Sequence, residues 1–288
     1  MNKLLIFKTL ILGLAITTHA NAFEVYQFLR WGNYTTANQK LVQTKNTDEF
    51  NNYLKTKNIK PIKVVTMGFI LSNNQADPKK IKRIADESKL NPQTPICFDI
   101  EPPFRHDPKR NLPVILDALK FYHQFGGAAP IGVYGVLPQL TPNAYLSADK
   151  KASFSKLNDQ YAEIANHVNI LYPTLYYYNL TDMNVWNDKA KFNIKEAQRF
   201  ANQRNLKIIP FLSTSNWKIS SPDTMHITPL SEQDMYHSLS YIKELGADGV
   251  VLWEKAKAKQ ASDNKPAVFD IQNNAYKAIV KFSIEQAK

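Results

Sequence analysis

Leu230-Ser231-Glu232-Gln233-Asp234-Met235, resumed one helix later as Leu245-Gly246-Ala247-Asp248-Gly249-Val250-Val251-Leu252-Trp253-Glu254, reads as a capped helix feeding a buried strand. Ser231 caps the helix with Asp234 three residues on, and Met235, Leu239, Ile242 and Leu245 recur at helical spacing. Gly246 supplies the left-handed stop, and the continuous apolar run that follows suits a strand covered on both faces. It ends in a tryptophan.

Six more apolar, β-branched or aromatic runs alternate with helical stretches upstream: Val25 to Trp31, Ile62 to Leu71, Ile96 to Ile100, Ile131 to Val136, Ile170 to Tyr177 and Lys207 to Leu212. Alternation of this kind predicts parallel strands with crossover helices. Seven strands suit a TIM-like (β/α) barrel better than an open dinucleotide-binding sheet, and no helix opens on a Gly-rich phosphate loop. A last helix over Ala275 to Glu285 closes the outer ring. With no internal repeat or linker, residues 23–288 read as one barrel domain.

Residues 1–22 read differently. Lys3 and Lys8 flank an apolar run reaching Ile16, and Ala20-Asn21-Ala22 is a small-x-small cleavage site, which predicts a secretory signal peptide cut after Ala22 and a secreted or periplasmic protein. The run is too short to span a bilayer, so no transmembrane segment is expected after its removal. Cys97 is the single cysteine and sits on an apolar strand, where a buried, inert thiol is expected. Stability must then come from the core rather than from disulfides.

The chain carries 36 basic and 25 acidic residues, a net +11, and loss of Lys3 and Lys8 with the leader leaves +9. That sign favours an anionic partner. Lys79-Lys80-Ile81-Lys82-Arg83 reads as a solvated helix face, whereas Lys255, Lys257 and Lys259 follow the Trp253 strand into a loop where an acidic polymer could touch them. No nucleic-acid recognition motif accompanies the charge, and the six histidines have no ligand spacing, so neither nucleic acid nor a metal or cofactor is expected.

In a parallel barrel, chemistry belongs at the C-terminal ends of the strands. Asp99 and Glu101 stand there, two apart and therefore on one side of the chain, just before Pro102-Pro103 breaks the strand. Two such carboxylates do not ionise independently; repulsion and partial burial raise the pKa of one, as a general acid requires. A strand-end ion pair is the structural alternative. Tyr134, Tyr176 and Trp253 end three other runs, where rings can stack on sugar faces.

These residues resemble the hyaluronidases of animals and venoms, glycoside hydrolases on a seven-stranded barrel. The resemblance rests on Phe23-Glu24-Val25-Tyr26, Phe98-Asp99-Ile100-Glu101, Gly132-Val133-Tyr134-Gly135 with Pro138, Asn158-Asp159-Gln160-Tyr161, Leu171-Tyr172-Pro173-Thr174-Leu175-Tyr176 and the Leu230 to Trp253 block, an ordered set over most of the chain beyond residue 22. It implies that Glu101 is the proton donor and then the base, that Asp99 shares its proton, and that Tyr176 and Tyr134 orient an N-acetyl group whose carbonyl is the nucleophile. Trp253 would wall its pocket. The implied partner is an anionic or N-acetylated polysaccharide, cleaved by a retaining endo-β-N-acetylhexosaminidase.

Two departures carry expectations of their own. The family's Arg-Trp-Arg-like stretch after the glutamate is replaced by Pro102-Pro103-Phe104-Arg105, which makes Arg105 a shifted contact for a substrate carboxylate. Glu254 stands where the family has glycine and puts an acid close to the expected anionic sugar, an argument against hyaluronan itself. The leader and the Lys- and Asn-rich usage look bacterial. A chitinase-like hydrolase, and a catalytically silent glycan-binding barrel, are the two other readings.

Overall fold

The computed structural model describes residues 22–29, 33–43, 47–142, 144–177, 182–221, 224–255 and 257–288. Residues 1–21 of the predicted leader and Trp31 at the end of the first run lie outside them. Among the described residues no helix is long and apolar enough to cross a membrane.

Strands and helices alternate throughout. The strands are β1 (Glu24–Leu29), β2 (Ile59–Pro61, resumed after Ile62 as Lys63–Thr66), β3 (Ile96–Asp99), β4 (Ile131–Val133), β5 (Ile170–Leu171), β6 (Lys207–Ile208, then Phe211–Ser213) and β7 (Gly249–Glu254). The helices between and after them are α1 (Thr47–Lys55), α2 (Pro78–Leu90), α3 (Pro108–Gln124), α4 (Ala148–Gln160), α5 (Met183–Ala201), α6 (Glu232–Glu244) and α7 (Asn274–Glu285). Parallel pairing runs from β1 to β2, then to β3 and β4. Single parallel bridges at Tyr134 with Tyr172 and Thr174 with Phe211 carry it past β5 to β6, beside the Ile170 pairing with Lys207. β6 pairs with β7, and β7 pairs with β1 in register from Glu24 opposite Gly249 to Leu29 opposite Glu254. The pairings form a ring, the arrangement of a (β/α) barrel.

Local chemistry sets the helix starts. Asp77 accepts from the backbone of Lys79 at 2.9 Å and Lys80 at 3.2 Å with Pro78 in the first turn, and Asp107 does the same for Lys109 ahead of Pro108. Ser231 accepts from the Asp234 amide at 3.0 Å and donates to its carboxylate at 2.7 Å, and Gly246 adopts φ +90° beyond the end of α6. The basic cluster on α2 is an exposed face with Lys82 and Lys89 both paired to Asp86.

Several predicted runs contain less strand than expected. Ile62 to Leu71 leaves strand geometry after Thr66 for a 3-10 turn, and Ile170 to Tyr177 is ladder-paired only over its first two residues. Pro210 interrupts β6, because a proline has no N–H to give the ladder. Three antiparallel hairpins, Asn33–Thr35 with Leu41–Gln43, Leu71–Ser72 with Gln75–Ala76 and Ser215–Ser221 with Thr224–Pro229, add strands outside the ring among the described residues.

The lower interior is filled by aromatic packing. Tyr26, Cys97 and Tyr172 are buried there, and burial pushes the Cys97 thiol well above its ordinary value, so this cysteine is inert core as expected. Gly132 makes room for Tyr172: a Cβ at this position would sit 2.2 Å from the Ile170 carbonyl and 2.7 Å from the Tyr172 ring. Gly132→Ala is therefore expected to destabilise the barrel by about 1–3 kcal/mol, read as a lower urea midpoint with unchanged slope. An unchanged midpoint would show that the strands part without cost.

Candidate active site

Because all strands of the ring run the same way, their C-terminal ends share one mouth, and a cavity of about 300 Å³ opens there. Asp99, Glu101, Arg105, Tyr134, Tyr176 and Trp253 all line it. The six come from four loops or strand ends and lie together only because the ring closes.

β3 stops at Asp99, so Glu101 sits on the loop beyond it, with its side chain 39% exposed. Asp99 is more deeply set, and its Oδ1 is buried with no hydrogen-bond partner. Burial raises the Asp99 pKa, and the positive charge of Arg105 partly offsets that. Of the two expected causes, repulsion by Glu101 and partial burial, burial is the one that raises Asp99 in the structure. Arg105 forms an ion pair with Glu101 itself, so this guanidinium does not wait free for a substrate carboxylate.

The loop carrying Arg105 is held from below. The Arg105 carbonyl accepts from Asn111 Nδ2 at 3.0 Å and from the Tyr161 hydroxyl at 3.2 Å. Asn158 is buried, accepts from the Gln139 amide at 2.8 Å and donates to Glu196 at 2.8 Å, which fixes the loop after Tyr134 to α5. The Asn158 to Tyr161 segment thus braces two mouth loops from outside the cavity.

Tyr176 is the centre of the aromatic wall. Its ring lies 6.3 Å from Tyr134, 5.2 Å from Trp253 and 5.5 Å from Trp217, and the two tryptophans are 4.5 Å apart. The segment that carries it is tied to α5: the Trp186 indole donates to the Leu175 carbonyl at 3.0 Å, and buried Lys189 donates to the Tyr176 carbonyl at 3.3 Å. Burial lowers the Lys189 pKa to about 7.

Sequence reasoning missed Trp217, which lies on the hairpin strand Ser215–Ser221. The available signal was short: apolar Trp217 and Ile219 alternate with polar Asn216 and Lys218, a period-2 pattern directly after β6. The expectation for Glu254 is overturned. Alternation along β7 turns Trp253 toward the cavity and Glu254 the opposite way, where it is fully buried beside Thr214 and Tyr276. It adds no negative charge to the cavity lining, and the objection to an anionic sugar falls. Of the basic loop, Lys257 is exposed while Lys255 and Lys259 are half-buried, with Lys259 paired to the hairpin at His226.

The glycoside hydrolase family 56 model, described as hyaluronidase, matches residues 142–282. That range holds Tyr176, Trp217 and Trp253 but not Asp99, Glu101, Arg105 or Tyr134, so it is narrower than the resemblance read from the sequence. No curated protein matches the chain in sequence. Among solved structures, bee venom hyaluronidase aligns with a TM-score of 0.52 at 17% identity, covering 81% of this chain and 91% of that one. A second bee venom hyaluronidase structure, in complex with a hyaluronic acid tetramer, aligns at 17% identity over 93% of this chain and 85% of that one with a TM-score of 0.42. A chitinase from Chromobacterium violaceum aligns at 11% identity over 91% and 92%, with a TM-score of 0.45. At these identities the first of the three speaks for the fold alone, and the family match supplies the rest: the chain is a glycoside hydrolase related to the hyaluronidases.

Proposed function

We propose that the chain is an exported endo-β-N-acetylhexosaminidase that cleaves a glycosaminoglycan-like polysaccharide with retention. The observation that carries this reading is the joint lining of one barrel-mouth cavity by the Asp99–Glu101 pair and the Tyr134, Tyr176 and Trp253 rings. Glu101 protonates the glycosidic oxygen as the bond to the anomeric carbon breaks. The substrate's own acetamido oxygen closes on that carbon, so no second carboxylate nucleophile is needed. Glu101, now the base, takes a proton from the water that opens the cyclic intermediate.

Asp99 fits the supporting role, because a carboxyl held toward its neutral form by burial can share one proton with its neighbour. Tyr134 and Tyr176 orient the acetamido group, and Trp253 closes its pocket. Arg105 links substrate charge to the acid: a uronate carboxylate drawn to the guanidinium competes with Glu101 for it. Arg105→Ala is therefore expected to raise KM for hyaluronan by about 10-fold or more, the scale of one charge-assisted hydrogen bond, and to raise KM for neutral chitin oligosaccharides far less. Equal effects on both polymers would remove Arg105 from charge recognition.

The deciding experiment is reducing-end release from hyaluronan, chondroitin and chitin oligosaccharides by residues 23–288, with Glu101→Gln as the matched control. Glu101-dependent release establishes the hydrolase and ranks its substrates. Binding without release by either protein supports a glycan-binding barrel instead.

A further inference from the structure

The basic cluster on α2 does more than face solvent, because two of its charges reach the turn at the end of β2. Lys80 Nζ donates to the Gly68 carbonyl at 3.0 Å and to the Leu71 carbonyl at 2.6 Å. Arg83 lies over the Phe69 ring, with its guanidinium carbon 5.9 Å from the ring centroid. Both residues serve the 3-10 turn Met67–Phe69, which leaves β2 at its C-terminal end and so stands at the rim of the mouth.

The turn presents apolar surface on a fixed backbone. Phe69 is 57% exposed and Met67 39% exposed. Buried Ile70 anchors the turn: its amide donates to the Met67 carbonyl at 3.0 Å, and its carbonyl accepts from the Asp77 amide at 2.9 Å. A single exposed ring is ordinary on a protein surface. Phe69 differs in that a lysine ammonium holds its turn still, and in the space it faces.

That space is a second cavity, of about 350 Å³, lined by Phe69, Arg83, Glu87 and the length of β2 from Lys63 to Thr66. Phe28 and Val64 line both this cavity and the mouth cavity, so the two adjoin. The opening follows from the ladder: among the described residues, β1 pairs with β2 from Val25 opposite Ile59 to Gln27 opposite Pro61 and no further. Where the strands part, the mouth has a side exit. Glu87 is held in an ion pair by Lys63, whereas Arg83 approaches it only to 3.8 Å and keeps its side chain 60% exposed. The charge left to a ligand there is positive.

We infer that Phe69 and Arg83 form a sugar-binding subsite outside the catalytic cavity, occupied by a further ring of the same polysaccharide chain. The phenyl ring stacks on the sugar face, and the guanidinium pairs with a uronate or sulfate group. This rests on the mouth cavity being the glycan site proposed above, and it deepens that reading by naming an anionic polymer as the occupant. Cleavage within a chain leaves sugars on both sides of the broken bond, so the cavity must open onto a path for the remainder, and the side exit is such a path.

The test is a chain-length series of hyaluronan and chitin oligosaccharides, up to polymer, on the wild type and variants at the two positions. Phe69→Ala and Phe69→Leu should raise KM for both polymers by about 10-fold, the scale of losing one stacked apolar face, with kcat changed far less. The loss should shrink toward the shortest oligosaccharide cleaved, and Phe69→Trp should stay near the wild type. Arg83→Gln should raise KM for hyaluronan by about 3- to 5-fold at low ionic strength, fading with added salt, and hardly change KM for chitin. Lys80→Met should lose part of the same affinity and add little to Phe69→Ala, because both act through one turn.

An unchanged KM for polymer in Phe69→Ala overturns the inference while the hydrolase reading stands. So does a loss equal at every chain length, which would mean that the mouth itself had shifted. Equal effects of Arg83→Gln on the two polymers would overturn the anionic occupant. If the wild type binds polymer without release, the hydrolase reading falls, and the same length series read as Kd decides the subsite. If the wild type neither binds nor cleaves any of these polymers, both fall.

Discussion

Glu101→Gln stops hydrolysis while leaving the polysaccharide bound. Proton transfer to a leaving group by a positioned side chain contributes about 10²–10⁴-fold, so kcat on the preferred polymer should fall by that factor with KM changed far less. The glutamine has nearly the same shape, lines the same cavity and can still bond to Arg105, so ground-state binding survives. What it lacks is a proton to give at the transition state, and that difference enters kcat. Stopped assays of initial rate, with binding measured on the same samples, separate the two terms. An undiminished kcat would remove Glu101 from the reaction and leave Asp99 as the remaining carboxylate of the cavity.

The largest effect on stability is expected from Trp186→Ala. Trp186 is fully buried on α5, stacks on Tyr177 at 5.2 Å with the planes 12° apart, and satisfies the Leu175 carbonyl at 3.0 Å. Truncation opens a large cavity and orphans a buried acceptor, at a cost of about 3–5 kcal/mol. For a chain of this size that corresponds to a fall in Tm of roughly 10 °C. The consequence reaches the site, because Leu175, Tyr176 and Tyr177 are consecutive and only the two residues at the start of that segment are ladder-paired. Trp186→Phe should recover most of the packing but not the hydrogen bond. A loss below about 1 kcal/mol for the alanine variant would mean that β5 is held by the ring without α5.

The legibility of the barrel differed by element. The Leu230 to Trp253 block was readable because its cap, apolar spacing, glycine stop and buried strand are all local, and each fits the observed α6 and β7. The segments Ile170 to Tyr177 and Lys207 to Leu212 were readable as apolar runs, but their breaks were not: how much of a run joins a ladder depends on the neighbouring strands and on Pro210. Trp217 escaped because a hairpin outside the ring carries it, and its place against Trp253 follows from how that hairpin folds back.

Sequence by itself determined the alternation of strands and helices, the starts and stops of the helices, and the residue types gathered at strand ends, since these rest on periodicity and capping within a few positions. It also brought Asp99 and Glu101 to one strand end, and both line the cavity, although β3 stops at Asp99 and leaves Glu101 on the loop beyond it. Tertiary structure alone decided that Arg105 pairs with Glu101, that Asp99 is raised by burial, and that Glu254 stands behind the wall rather than in the mouth. Those three depend on which surfaces the closed ring excludes from water, a property of the assembled barrel that no local stretch of the chain encodes.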